Sequence, residues 1–230
     1  TGNMLILSYA HAFLTNTTHL INAYYPTLLS WANELTTQTL YPVTQVSTDD
    51  FEGAEANYTN LALKGLCGIM AMGRMAGFAG RVEDKERFES IASNYSGLIL
   101  ENGLSADGTH FKVTYQSNDS SWISAYNLYP DVALSLDLFE PALYEKLGDF
   151  YATVAQPYGV PLDSRGTTTK TDWSIMTAAM HLDNPGTRDA FVHGVVNYVS
   201  SPFDFRPFPD RYDSVEGGVR ALYPFGGDEF

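Results

Sequence analysis

Basic residues and cysteine are what this chain has least of. Thirteen lysines and arginines stand against 27 aspartates and glutamates, a net charge of −14. No basic patch can form easily on such a chain, so neither a nucleic acid nor an anionic membrane is an expected partner. The single cysteine, Cys67, has no second thiol for an internal disulfide or a cysteine-bound metal, and it reads as a small apolar core residue. No charged leader followed by an apolar segment opens the chain, so no signal peptide is expected within it. Long charge-free apolar runs are missing too. The longest apolar stretch, LALKGLCGIMAMGRMAGFAG from Leu61, carries Lys64 and Arg74 in its interior, which suits a buried helix of a globular protein rather than a membrane span. The five histidines, His11, His19, His110, His181 and His193, form no His-x-Glu or His-x-x-x-His pair, so no zinc site is expected. His181 and His193 read as helix-surface residues.

What the chain does have is 230 residues with 44% apolar and 17% charged content, enough for one ordinary globular core. A single helical domain over 1–230 is the expectation. Apolar residues return at spacings of three and four along most of the length. Met4, Leu5, Leu7, Ala10, Phe13 and Leu14 predict a first helix ending at TNTT, and a second runs from near Leu20 past Pro26. A third begins after Gly53 and continues to Phe78, with Gly65, Gly68, Gly73 and Gly77 leaving room for close neighbours. A fourth follows from Glu83 through Phe88, Ile91, Tyr95 and Leu98. Residues 101–121 are turn-rich, with one short strand expected around His110 to Tyr115. Helices resume at WISAYNLYPDVALSLDL and at PALYEKLGDFYATV from Pro141. After a second irregular stretch they resume again at WSIMTAAMHL, with Thr171 or Asp172 as N-cap, and at TRDAFVHGVVNYV. The repeating unit is a helical hairpin followed by a long polar loop, about four hairpins in all. That pattern predicts an all-α protein, an α/α toroid or solenoid, with its long loops gathered at one end. A binding or catalytic site belongs at that end.

One of those loops, QVSTDDFEGAEANYTN from Gln45, places Asp49, Asp50, Glu52 and Glu55 within seven positions. Three readings compete for these acids: a catalytic rim, a calcium site at Asp49, Asp50 and Glu52, and the negatively charged start of a helix. The spacing fails the EF-hand pattern, so any calcium would be held by carboxylates and backbone oxygens in another geometry. Four Asn-x-Ser/Thr sequons, at Asn16, Asn57, Asn94 and Asn118, together with the acidic charge, point to a secreted, extracellular glycoprotein.

Several stretches in order carry a resemblance: TGNMLIL at the start, QVSTDDFEG with NYTNLALKG, YNLYPDVALSLDL, FYATVAQPYGVPLDSR and TKTDWSIMTAAM. With DRYDS from Asp210 and FGG from Phe225, they make the chain similar to the C-terminal helical domain of the glutaminase A family, secreted fungal proteins with bacterial relatives. The resemblance covers nearly the whole chain. It implies an α/α toroid of the six-hairpin glycosidase type, and hydrolysis of L-glutamine to L-glutamate and ammonia. Family members carry an N-terminal β-rich region and first toroid helices ahead of TGNM, so the resemblance also implies an incomplete ring. The missing N-terminal part of the same protein, or a second copy, is then an expected partner beside a small polar substrate such as glutamine.

No Gly-x-Ser-x-Gly elbow or Ser-x-x-Lys motif supports a serine nucleophile. Water activated by a carboxylate is the simpler route to amide hydrolysis. The candidate catalytic residues are therefore Asp49, Asp50, Asp163 and Asp172, all in mouth loops, with Asp119 an outlying member. Arg165, seconded by Lys170, is the candidate for holding the substrate α-carboxylate through its fork. Trp122, Tyr126 and Asn127 are candidates for a wall and an amide donor. The competing reading of Arg165 and Lys170 beside Asp163 and Asp172 is an ion-pair network pinning the loop to the next helix. For the aromatics the competing reading is the core. No cofactor is required by this scheme, and calcium is the ion the acidic loop would suit. Two other functions stay open: a carbohydrate-active or carbohydrate-binding toroid, and a catalytically incomplete secreted protein with a ligand- or cation-binding role.

Overall fold

A computed structural model describes residues 1–47, 52–201 and 209–218. The first hairpin pairs α1 (Gly2–Thr15) with α2 (His19–Gln38). α1 stops at Asn16, which takes the left-handed conformation (φ 50°) that its short amide side chain tolerates. Pro26 lies inside α2, and the backbone leaves helical geometry at Tyr24 (φ −119°), because the proline ring crowds the turn before it and removes one donor.

The second hairpin holds the core. α3 (Thr59–Phe78) packs against α1, α2 and α4 (Val82–Gly103). From Ala62 to Met72 every side chain except Lys64 is buried, and Leu63, Leu66 and Ile69 are fully so. Each large aliphatic group buried this way contributes about 1.5–3 kcal/mol. The expected glycine approaches are present. A Cβ on Gly65 would stand 2.3 Å from Thr39 Oγ1, and one on Gly68 would stand 2.9 Å from Leu35 Cδ1. Among the described residues α3 is the one helix long and apolar enough to cross a membrane, and it is the core helix of the fold. Cys67 lies within it, free and buried.

The remaining helices form the other half of the arc: α5 (Tyr129–Ala133), α6 (Pro141–Val154), α7 (Thr171–Met180) and α8 (Pro185–Val199). α8 packs on both α6 and α7, and a 3-10 turn at Tyr126–Leu128 joins this half to α3. The architecture is all-α, an incomplete toroid of about four helical hairpins. Two small antiparallel pairs accompany it. β1 (Gln45–Val46) pairs with β2 (Ala54–Glu55), and β3 (Thr168–Lys170) pairs with β4 (Arg211–Asp213). The Tyr212 ring stacks on Tyr198 of α8, with centroids 3.7 Å apart and planes 2° from parallel, which docks β4 onto the helices.

Five features differ from the sequence expectation. α3 starts at Thr59, not after Gly53, because Gly53 (φ 90°) and Asn57 (φ 51°) both hold conformations a helix cannot use. Glu52 and Glu55 therefore precede the helix across a β-hairpin and do not cap it. The stretch 122–138 forms only the 3-10 turn and the five-residue α5, since Ser135 and Asp137 also take positive φ (50° and 59°). No continuous strand forms over 110–115, where single bridges occur instead. The N-cap of α7 is Lys170, whose side chain makes no capping bond. Finally, His181 is buried with 3% exposure, whereas His193 lies on the surface as expected.

Candidate functional site

The three long connections meet at one end of the helices. Thr59 N donates to Val113 O (3.0 Å) and Tyr115 N to Asn57 O (3.2 Å), so the start of α3 is laced to the loop that follows α4. Within that loop Phe111 bridges both Leu104 and Ile123, and Ile123 in turn bridges Asp163 of the third connection. Ser124 N donates to Leu162 O (2.7 Å), Ser164 N to Trp122 O (2.9 Å), and Trp122 N to Ser164 Oγ (3.1 Å). These are backbone groups that had to find partners once the loops were covered, and each loop supplies the other's. The tip of the middle loop is fixed internally as well. Hydroxyls of Ser105 and Thr109 donate to Asp107 and hold its carboxyl down to about 2.

Arg165 sits where the connections converge. Asp163, with 4% of its side chain exposed, accepts three bonds from it: Arg165 N to Oδ1 (2.7 Å), Nε to Oδ1 (3.1 Å) and Nη2 to Oδ2 (2.7 Å). Nη1 reaches across to Glu55 Oε1 of β2 at 3.5 Å, and the guanidinium lies 5.9 Å from the centroid of the Tyr58 ring. Burial alone would lower the Arg165 pKa. The bonds and charge of Asp163 outweigh it, with Tyr58 and Glu52 adding, and hold the group above its ordinary value. The cation is permanent, and its inner edge is committed to Asp163. What it turns toward solvent, with 26% of the side chain exposed, is the edge shared with Glu55.

Lys170 makes a second cluster. Its Nζ is 2.8 Å from Asp210 Oδ2, 3.7 Å from Asp172 Oδ2 and 4.2 Å from the centroid of the Trp173 ring. Trp173 stacks on Tyr126 with centroids 4.3 Å apart and planes 3° from parallel, and Leu162 completes that group. Tyr126, 2% exposed, is thus a core residue under the loop and not an open wall. Asn127 turns toward α3, where its Nδ2 donates to Asn60 O (3.2 Å) and its carbonyl accepts from Cys67 Sγ (3.6 Å). Trp122 is half-buried and meets Phe150 edge-on, with centroids 5.7 Å apart.

Of the predicted site residues, then, Asp163 and Arg165 meet directly, Lys170 and Asp172 form a neighbouring pair, and Trp122 lines the same seam. Asp49 and Asp50 lie outside the described residues. Among the described residues no three His, Cys, Asp or Glu side chains group closely enough to hold a metal ion; of the three calcium candidates, Glu52 is the one that falls within the described residues. Asp119 is exposed and caps Ala106 N at 3.1 Å. Tyr58 and Asp210 were not singled out from the sequence, and Glu55 only as one of the four acids of the 45–60 loop, outside the named catalytic candidates. Their signal is three-dimensional, since each meets its partner across more than 35 positions of chain. Of the sequons, Asn16, Asn94 and Asn118 are exposed and Asn57 is half-buried.

Helical hairpins in an arc, with their long loops gathered at one end around charged residues, define an all-α toroid domain of the helical-hairpin class. A family model described as the glutaminase A six helical-hairpin domain matches residues 1–225, and the chain belongs to that family. It is 37% identical over 226 residues to Glutaminase A of Aspergillus oryzae, covering 97% of this chain and 32% of that protein. It is 35% identical over 215 residues to a protein of Arthroderma benhamiae named probable glutaminase, covering 82% of this chain and 25% of that one. The chain thus spans about a quarter to a third of the length of these relatives. Among solved structures, a protein titled Sialidase superposes with a TM-score of 0.70 at 15% identity, over 94% of this chain and 23% of its own. That likeness concerns the fold alone.

Proposed function

We propose that this chain forms part of an L-glutamine amidohydrolase and that the seam around Arg165 is the substrate-facing mouth. The observation that carries this reading is Arg165 itself: pinned from below by a buried Asp163, it reaches Glu55 of a loop 110 positions away. Fungal relatives bearing the glutaminase name over nearly the whole chain supply the reaction.

In this reading the residues divide the work. Asp163 fixes the guanidinium fork, so the side chain pays no further ordering cost when an anion arrives. The outer edge of Arg165 attracts the α-carboxylate of glutamine, displacing the long contact to Glu55. Glu55, freed from that contact, joins Asp49, Asp50 and Asp172 as the carboxylates available to take a proton from the attacking water. Its side chain is 42% exposed, and that of Asp172 is 49% exposed. A base draws the proton off water as its oxygen attacks the amide carbon. The same proton, or one from a second carboxyl, then passes to the departing ammonia. Lys170, shared between Asp172 and Asp210, holds Asp172 at the rim.

A secreted glycoprotein fits the same chain. Three of four sequon asparagines are exposed, the charge is strongly acidic, and the one cysteine is buried. The partner is a further part of the same longer polypeptide, or a second copy. The apolar stripe on α1, with Met4 at 50%, Leu7 at 63% and Leu14 at 77% exposure, is the face it would cover. The test is ammonia release from L-glutamine by the full-length protein and by this 230-residue chain. Release by the full-length protein is expected. Release by neither overturns the glutaminase reading and leaves the catalytically incomplete, ligand- or calcium-binding alternative.

A further inference from the structure

A second cleft, of about 620 Å³, opens at the other end of α6 and α7 from the mouth. α7 begins beside Lys170 at the mouth and ends at Met180 in this cleft, ten residues or roughly 15 Å away at the helical rise. Among the described residues five carboxylates line it, Asp131, Asp137, Glu145, Asp149 and Asp183, and no lysine or arginine does. Among the described residues their compensation is slight. Arg74 of α3 meets Asp137 at 3.2 Å, Asn184 Nδ2 donates to Asp149 at 3.1 Å, and Asp131 accepts from Leu138 N and the Tyr144 hydroxyl. Asp131 is thereby a structural part of the wall. Glu145, Asp149 and Asp183 are exposed.

The second observation is His181. It lines the cleft at 3% exposure, and its Nε2 is buried with no hydrogen-bond partner among the described residues. Tyr151 meets the ring edge-on, with centroids 5.9 Å apart, and Gly148 leaves it room, since a Cβ there would stand 3.0 Å from Nδ1. A fold keeps an imidazole buried and incompletely bonded at a cost, and a donor completing it removes that cost. Burial pushes the His181 pKa down to about 4, against a smaller opposing pull from Asp149, so at neutral pH the ring offers a lone pair and not a positive charge. A neutral acceptor ringed by carboxylates suits a donor cation. The acids do not converge closely enough to hold a metal ion. Phe139 and Met180 give the cleft apolar walls beside its charge.

We propose that this cleft binds a primary alkylammonium group on a short apolar stem, the ammonium among Asp149, Asp183 and Glu145 and donating to His181, the stem along Phe139 and Met180. A free diamine and a lysyl side chain share that chemistry. The proposal is independent of glutaminase activity.

Its test is a titration of the full-length protein labelled with ¹⁵N-histidine, reading the His181 ring signals, which His181→Gln assigns by their loss. The probes are cadaverine, Nα-acetyl-lysine amide, n-butanol and sodium chloride. A saturable shift with either amine, absent with butanol and with salt at equal ionic strength, is expected. Saturation by cadaverine alone identifies a free amine as the ligand, and saturation by the lysine amide alone a lysyl segment. Asp183→Asn, at an exposed position, weakens binding about tenfold, the worth of one charge-assisted bond. No saturable shift with either amine, or an equal response to butanol or salt, overturns the proposal.

Discussion

Arg165 joins Asp163 and Glu55 from opposite sides, at 2.7 Å and 3.5 Å, so one guanidinium closes two loops that lie 110 positions apart in the chain. The two bonds are unequal. Asp163 is buried and makes three contacts, whereas Glu55 is half in water and makes one long one.

Their removal should differ accordingly. Asp163→Asn leaves a partly buried cation without its counter-charge and should cost about 2–4 kcal/mol, toward the low end for a buried pair because Arg165 keeps some solvent. Glu55→Gln should cost under about 1 kcal/mol, and that little should vanish in high salt. Urea unfolding of both variants checks this, and equal losses would contradict it.

α3 offers a second, purely steric prediction. Gly65→Ala places a methyl 2.3 Å from Thr39 Oγ1 and should destabilise by about 1–3 kcal/mol. Among the described residues Thr39 Oγ1 has no hydrogen-bond partner, so its loss in Thr39→Ala sacrifices no bond there. In the double variant part of the Gly65→Ala penalty should return, and a double-mutant cycle in thermal unfolding measures the coupling. Strict additivity would mean the two residues are not in contact.

His181 gives stability a pH dependence. Its folded pKa is about 4, against an ordinary value near 6.5, so below about 6.5 the unfolded chain takes up a proton that the folded chain refuses. The neutral ring's contribution is present above that range and is lost as pH falls from about 6.5 toward 4, by up to about 3 kcal/mol. Asp149, Asp183 and Asp131 line the same cleft as the ring: Asp149 already moderates the His181 shift, and Asp131, whose own carboxyl is pushed up by burial, is held by Leu138 N and the Tyr144 hydroxyl. His181→Gln should flatten this part of the profile. Unfolding free energies at pH 7, 6, 5 and 4 in both proteins check it, and parallel profiles would contradict it.

The helices were legible in the sequence because their apolar spacing and their breakers agree. α6 opens at Pro141 and closes at Val154, the stretch the pattern marks, and the glycines of α3 sit where neighbours press closest. What was not legible depends on pairing at a distance. β1 with β2 and β3 with β4 are two- and three-residue strands, too short for any alternation to register, and the second pair spans some 40 positions. Positive φ at Asn57, Ser135 and Asp137 cut short two helices that composition alone would extend. His181 follows a run whose residues are apolar on every face, so no periodicity marks its side as inward. At the mouth the sequence pointed to Asp163 and Arg165 through their proximity in PLDSR. Glu55 could be joined to them only in the folded chain.

The most direct test of the mouth as a glutamine site is steady-state kinetics of the full-length protein carrying Arg165→Lys and, separately, Glu55→Gln. Arg165→Lys keeps the charge but loses the fork, and should raise KM for L-glutamine about tenfold or more with a smaller change in kcat. Glu55→Gln should lower kcat by about a hundredfold, the contribution of one proton-transferring group, in a protein whose stability is nearly unchanged. Wild-type kcat and KM in both folded variants would contradict the account and return Arg165, Asp163 and Glu55 to a structural clasp between two loops.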